Sequence, residues 1–207
     1  MKKFSMLLIL LLAIGIFTQN ASALTYTITS YPERPAWGGG AFLINEDIVT
    51  YCLERSEQIT LGVAYLGTID DYAIAGGNKT NNGGIEPPST PTQDYLNPWS
   101  EWLVAKYLSD SLTSQNKMKD FQNAIWYIEG EWSAPQPVLD TNYYALVAAV
   151  SPTTDYAWIR VLNLYEYDAQ RNIINRQSVI ITPEPGTLLL LGAGLLGVGF
   201  LVRRRFN

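Results

Sequence analysis

Two apolar stretches, one at each end of the chain, decide how much of it has to fold in water. Met6 to Phe17 is a run of 12 residues preceded by Lys2 and Lys3 and followed by Ala21-Ser22-Ala23. A charged start, a short apolar run and a small-x-small site, in that order, are the parts of a secretory signal. Cleavage after Ala23 makes Leu24 the first mature residue. At the other end Thr187 to Val202 is a 16-residue Leu/Gly-rich run, slightly under the roughly 17–25 residues of an ordinary spanning helix. Gly192, Gly194, Gly197 and Gly199 suit close helix packing in a membrane. Arg203, Arg204 and Arg205 behind them stay cytoplasmic, so whatever precedes the run faces outward. The expected organisation is a signal peptide at 1–23, an exported domain at 24–182 and a membrane tail at 183–207.

The middle segment has 159 residues, enough for one domain with a real core. Nine Lys and Arg stand against 18 Asp and Glu there, a net charge of −9. So acidic a surface has no basic patch for phosphate, and no nucleic-acid partner is expected. Histidine is absent from all 207 residues, which excludes Ser–His–Asp and Cys–His mechanisms and His-ligated metal sites. Cys52 is the sole cysteine, so neither an intramolecular disulfide nor a Cys-based zinc site can form. No cofactor and no metal are expected.

The tail carries a resemblance. Pro183-Glu184-Pro185-Gly186, a short Leu/Gly-rich helix and the arginine cluster together resemble the PEP-CTERM sorting signal of Gram-negative bacteria. The resemblance implies signal peptidase and a membrane-embedded exosortase as processing partners, with release to the cell surface or to exopolysaccharide. It describes the tail and leaves open what the domain binds.

Within the domain, Thr25 to Ser30 alternates and is β-rich, and Phe42 to Leu53 and Ile59 to Leu66 are apolar runs of strand length. Gly76 to Pro91 reads as an exposed Gly/Asn/Pro loop. Asn97 and Pro98 can open a helix whose Trp99, Leu103 and Tyr107 share a face. A second helix is expected from about Met118 to Glu129, stopped by Gly130, with Met118, Phe121, Ile125 and Ile128 as its apolar stripe. A third runs from about Asp140 to before Ser151-Pro152, and strands follow at Ala157 to Tyr167 and Ile173 to Ile181. Antiparallel strands at both ends with a helical middle give an α+β fold in which the terminal strands join one sheet.

Two short stretches stand out from this frame. Tyr51-Cys52-Leu53-Glu54 ends a strand, and Gln122-Asn123-Ala124-Ile125-Trp126 lies on the second helix with Gln122 on or beside the inward stripe. An inward glutamine needs partners, since a buried amide without them costs roughly 1–3 kcal/mol. A lone exported cysteine is either an inert small hydrophobe or a reactive thiol. The pair resembles the thioester domains of bacterial surface adhesins, in which a strand-borne Cys and the Gln of a T-Q-x-A-x-W-like motif condense. Gln122, Ala124 and Trp126 match that motif, and Phe121 stands where the adhesins have Thr. The longer pattern C-L-E-R, Q-N-A-I-W-Y-I-E-G-E and V-L-N-L-Y is similar to PEP-CTERM proteins with such a Cys–Gln pair.

The resemblance implies a Cys52–Gln122 thioester shielded by Tyr51, Trp99, Trp102 and Trp126. It would attach once to an amine- or hydroxyl-bearing surface partner or exopolysaccharide, without enzymatic turnover. The other reading is a non-covalent carbohydrate-binding or structural matrix protein with a buried free Cys52. Asp70-Asp71 lacks the D-x-D-x-D-G spacing of a calcium loop, and Glu129 with Glu131 is slender ground for glycoside hydrolysis. Protein recovered from the native surface is expected to begin at Leu24 and end near Pro185 by mass spectrometry. An intact tail in the native exopolysaccharide fraction would contradict the sorting assignment.

Overall fold

The computed structural model of the chain describes residues 24–34, 40–55, 57–74, 93–132, 134–151, 156 and 158–182. The signal, the sorting tail with Pro183, Glu184, Pro185, Arg203, Arg204 and Arg205, and the 76–91 loop lie outside them. Among the described residues no helix is long and apolar enough to cross a membrane.

The chain builds strands β1 (Thr25–Ser30), β2 (Phe42–Ile44), β3 (Ile48–Cys52), β4 (Ala64–Asp70), β5 (Tyr72–Ile74) and β6 (Gln93–Tyr95). Helices α1 (Pro98–Ser111), α2 (Gln115–Ile128) and α3 (Tyr143–Ala148) follow, then β7 (Arg160–Tyr167) and β8 (Ile173–Ile181). Six strands close into an antiparallel barrel in the order β1-β2-β3-β8-β7-β4, and β5–β6 form a separate ribbon. The mixed α+β character matches the sequence pattern. Both terminal strands are in one sheet, which curls until β1 meets β4.

The two early apolar runs have other boundaries than hydropathy implies, and β7 begins at Arg160 rather than at Ala157. The apolar stretch from Phe42 is a hairpin, because Asn45 and Glu46 both take positive φ (51° and 69°) and Asp47 N donates to Ile44 O at 3.1 Å. That is the mirror-type turn whose twist suits two adjoining strands. The Asn45 side chain holds it in place by accepting from Thr27 N at 2.9 Å. The next strand starts only at Ala64, after a turn in which Gly62 has φ +77°.

Strand alternation sorts the apolar residues into two cores. Ile28, Phe42, Ile44, Cys52, Tyr65, Leu162, Leu164, Val179 and Ile181 come from all six barrel strands and form one cluster, the barrel interior. Tyr51, Leu53, Val161 and Ile180 point the other way, into a second cluster with Leu103, Met118, Phe121, Ile125, Ile128 and Tyr143 of the helices. The barrel interior is narrow at Gly67. A Cβ there would lie 2.7 Å from Leu162 Cδ1 and 2.8 Å from the Tyr26 ring. Leu162 is fully buried and has nowhere to retreat. Gly67→Ala is therefore expected to destabilise the fold by about 1–3 kcal/mol in urea unfolding; an unchanged midpoint would mean the barrel is looser than this packing requires.

Candidate functional site

Helix α2 is positioned at both ends by its sequence. Ser114 caps it, its hydroxyl accepting from Lys117 N at 3.2 Å. At the far end Gly130 takes φ +79°, Glu131 N donates to Trp126 O at 2.7 Å, and Gly130 N donates to Tyr127 O at 3.2 Å. These paired bonds are the Schellman stop that a glycine permits. The reversal sends Glu131 and Trp132 back alongside the helix. Met118, Phe121, Ile125 and Ile128 pack in the helix-side core, as the stripe implied. Gln122 and Trp126, four residues apart, share a row of their own, and Trp126 joins the barrel interior with Cys52.

Strand β3 brings Cys52 to that row. Cys52 pairs with Val179 of β8, and Leu53 N donates to Ser178 O at 2.9 Å, so the end of the strand is fixed. The Gln122 amide is then clamped in both directions. Its Nε2 donates to Cys52 O at 2.8 Å, and its Oε1 accepts from Cys52 N at 3.1 Å and from Gly40 N at 3.3 Å. Gly40 is buried with φ +99°, a conformation that an L side chain rarely adopts. Gln122 has no exposed surface and Cys52 only 4%. One carbonyl oxygen with two backbone N–H donors, in a site closed to water, is the arrangement that stabilises negative charge developing on that oxygen.

The electrostatics oppose a free thiolate. Burial pushes the Cys52 thiol up to about 12, Arg34 pulls it down, and Glu54 adds to the rise. Arg34 lies with its guanidinium 4.3 Å from the Phe42 ring centroid. Burial lowers its own pKa, and the charge on Cys52 would raise it again. On the other side is a group of acids. Glu54 is 3% exposed, and burial first, then the adjoining Glu57 carboxyl, push it up to about 10. Its Oε2 accepts from Ser178 N at 3.4 Å, and its main-chain carbonyl accepts from Gln177 Nε2. Glu131 Oε2 accepts from Arg55 N at 3.1 Å, and the Arg55 guanidinium sits 3.6 Å from the Trp132 ring centroid. Trp132 in turn meets Trp126 edge-on at 6.3 Å.

The structure brings Cys52, Gln122 and Trp126 together. Tyr51, Trp99 and Trp102 are placed in the helix-side core instead. Tyr51 follows strand alternation away from Cys52, its hydroxyl 2.8 Å from Ser111 Oγ. Trp99 and Trp102 ride on α1, only partly buried. Phe42, Tyr65 and Trp132 occupy the Cys52 side. Gly40, Arg34, Glu54, Glu57 and Glu131 were not singled out for this site from the sequence. Only Glu54 had a signal, being two residues from Cys52. Glu129 and Glu131 diverge, Glu129 Oε1 accepting from Asn97 N at 3.3 Å. Asp70 is tied to Thr68 and Asn163, and no three-residue metal cluster exists among the described residues.

Comparison with known families adds the fate of the chain. Residues 182–205 match the PEP-CTERM protein-sorting motif. The match carries the sorting signal alone, and with it the chain is an exported protein processed by an exosortase-type enzyme that reaches the cell surface through the membrane. No curated protein and no solved structure matches the chain.

The buried acids set a pH dependence. Burial pushes Glu129 up from 4.5 to about 8, and Glu54 stands higher still. A carboxyl whose pKa is higher folded than unfolded holds an extra proton only in the folded state. Its stabilising effect is complete below the ordinary carboxylate range and is lost as pH climbs through the folded value. The urea midpoint is expected to be higher near about pH 5 than near about pH 8, with Glu129→Gln flattening the difference. A midpoint that rises across that window contradicts the buried, protonated state of these groups.

Proposed function

We propose that the exported, PEP-CTERM-sorted protein forms an internal thioester between Cys52 and Gln122 and spends it once, attaching covalently to an amine- or hydroxyl-bearing partner at the surface or in the matrix. The observation that carries the reading is the clamp on the Gln122 amide. A helix glutamine buried against the backbone of the chain's sole cysteine has its carbonyl oxygen in a two-donor pocket made by Cys52 N and Gly40 N. Attack of sulfur on Cδ puts negative charge on that oxygen, where the two N–H groups stabilise it. The leaving nitrogen departs as ammonia, leaving an acyl group for a nucleophile to capture. Trp126 closes the site with an apolar face, and exclusion of water is what allows an acyl thioester to persist.

The same three hydrogen bonds give both polar atoms of the Gln122 amide a partner, which favours the alternative of a non-covalent surface or matrix domain with a buried free thiol. Amine capture separates the two. Incubation of the full chain with methylamine is expected to place methylamide on residue 122 in a peptide map and to free Cys52. Cys52→Ala should abolish uptake and leave the fold in place, since the side chain contributes little volume. An absence of methylamide at residue 122 in freshly isolated protein would leave the non-covalent reading.

A further inference from the structure

The described chain ends at Thr182, and the apolar run read as a membrane segment begins at Thr187. The four residues between them, Pro183 to Gly186, reach at most about 14 Å. Until the tail is cut, the end of the barrel that carries Thr182 therefore stays within that distance of the lipid. Sheet register says which end that is. Arg160 pairs with Ile181 and Val161 with Asp70, so the start of β7, the end of β8 and the end of β4 lie together. The β7–β8 turn, flanked by the Tyr167–Ile173 pair, is at the other end, about 23 Å away along β7.

The lipid-proximal end carries an aromatic side chain that the core does not explain. Trp158 stands two residues before β7 and is 47% exposed, and among the described tryptophans it alone is exposed. Tryptophan is on average well buried. Tyr156 braces it: the two rings meet edge-on at 6.4 Å, and Tyr156 itself packs on the helix-side core. Lys106 of α1 brings its ammonium to 6.0 Å from the Tyr156 ring centroid. Among the described residues there, Lys106 and Arg160 stand against Asp70 and Asp71, so the charges balance. The exported segment as a whole has 9 Lys and Arg against 18 Asp and Glu. This end is thus a locally neutral place on an acidic surface, with an indole projecting from it.

We propose that Trp158, braced by Tyr156, seats the exported domain on the phospholipid surface while the tail is still attached, with the β7–β8 turn directed away from the membrane. The proposal rests on the membrane reading of Thr187 to Val202 and is independent of the thioester. Indole and phenol rings have an apolar body and a polar edge, which is why tryptophan and tyrosine collect at the boundary between headgroups and acyl chains. The short tether brings Trp158 to that boundary without any further partner. Balanced charge makes the seat an apolar contact, insensitive to the sign of the headgroups. Its consequence is orientation, with Pro183-Glu184-Pro185 held at headgroup level and the far turn exposed to the outside.

The test is flotation followed by fluorescence. The full chain is reconstituted into phosphatidylcholine vesicles whose acyl chains carry bromine near the headgroup, with unbrominated vesicles as the reference. Bromine quenches tryptophans that reach it. The parent is expected to be quenched, and Trp158→Phe, which keeps a ring for Tyr156, should lose most of the quenched component. Tyr167→Trp added to the Trp158→Phe chain puts a tryptophan at the far end of β7 and should restore none of it. Adding phosphatidylglycerol should leave the quenching of Trp158 unchanged, and a quenching that requires it contradicts the apolar seat. Equal quenching in parent and Trp158→Phe, or quenching restored by Tyr167→Trp, overturns the proposal. So does a Trp158 shielded from bromine because two copies pair through it. Leu191→Arg with Leu195→Arg, which charges the middle of the apolar run, is expected to abolish the quenching of Trp158; quenching that survives it contradicts the tethered geometry. A parent that does not float with the vesicles sinks the membrane reading of the tail, and the seat with it.

Discussion

The contact on which the rest of the architecture depends is the two-way hydrogen bond between the Gln122 amide and the Cys52 backbone. Nε2 to Cys52 O at 2.8 Å and Cys52 N to Oε1 at 3.1 Å join helix α2 to the end of strand β3 as a side chain imitating a strand partner. An unpartnered amide at that depth costs roughly 1–3 kcal/mol, so the helix cannot rotate or slide without losing it. Ser114 starts α2 and the reversal at Gly130 ends it, which fixes the limits of the helix that carries residue 122. Gly40 supplies the third bond by taking a backbone conformation that other residues avoid.

The clamp explains why the site is both closed and electrostatically strained. Burying Cys52 inside a six-stranded barrel protects any acyl group from water and at the same time makes the thiol hard to ionise. Among the described residues the charged groups bearing on that thiol are Arg34 and the buried Glu54. Burying Glu54, Glu129 and Glu131 costs stability that a purely structural fold would avoid. Glu54 bears on the Cys52 thiol and Glu131 on Glu54, whereas Glu129 is committed elsewhere, to the junction of α1 and α2 through Asn97.

Local signals were legible where one principle dominates. Thr25 to Ser30 and Ile173 to Ile181 became strands at the expected residues, because alternation and β-branching agree there. Asn97 caps its helix as its position before Pro98 implies. The chain from Phe42 to Leu53 was read as one run because Asn45 and Glu46 break it by backbone conformation, which hydropathy does not record. Barrel closure was invisible for a different reason. It needs β3 to meet β8, residues 51 and 180, across the whole helical middle, and no local pattern encodes that register. Cys52, Gln122 and Trp126 were found through their motif, while Tyr51, Trp99 and Trp102 were grouped with them by aromatic character alone. Strand alternation turns Tyr51 to the opposite face, and α1 keeps both tryptophans on the helix side. Gly40 carried no signal beyond being one of three consecutive glycines.

The central claim is a covalent bond, and covalent bonds change mass. Intact mass spectrometry of the protein isolated from its native host, kept free of amines and at mildly acidic pH, tests it most directly. A species one ammonia lighter than the sequence of the recovered chain is expected, with the loss absent in Gln122→Ala. A homogeneous species at the full sequence mass would contradict it.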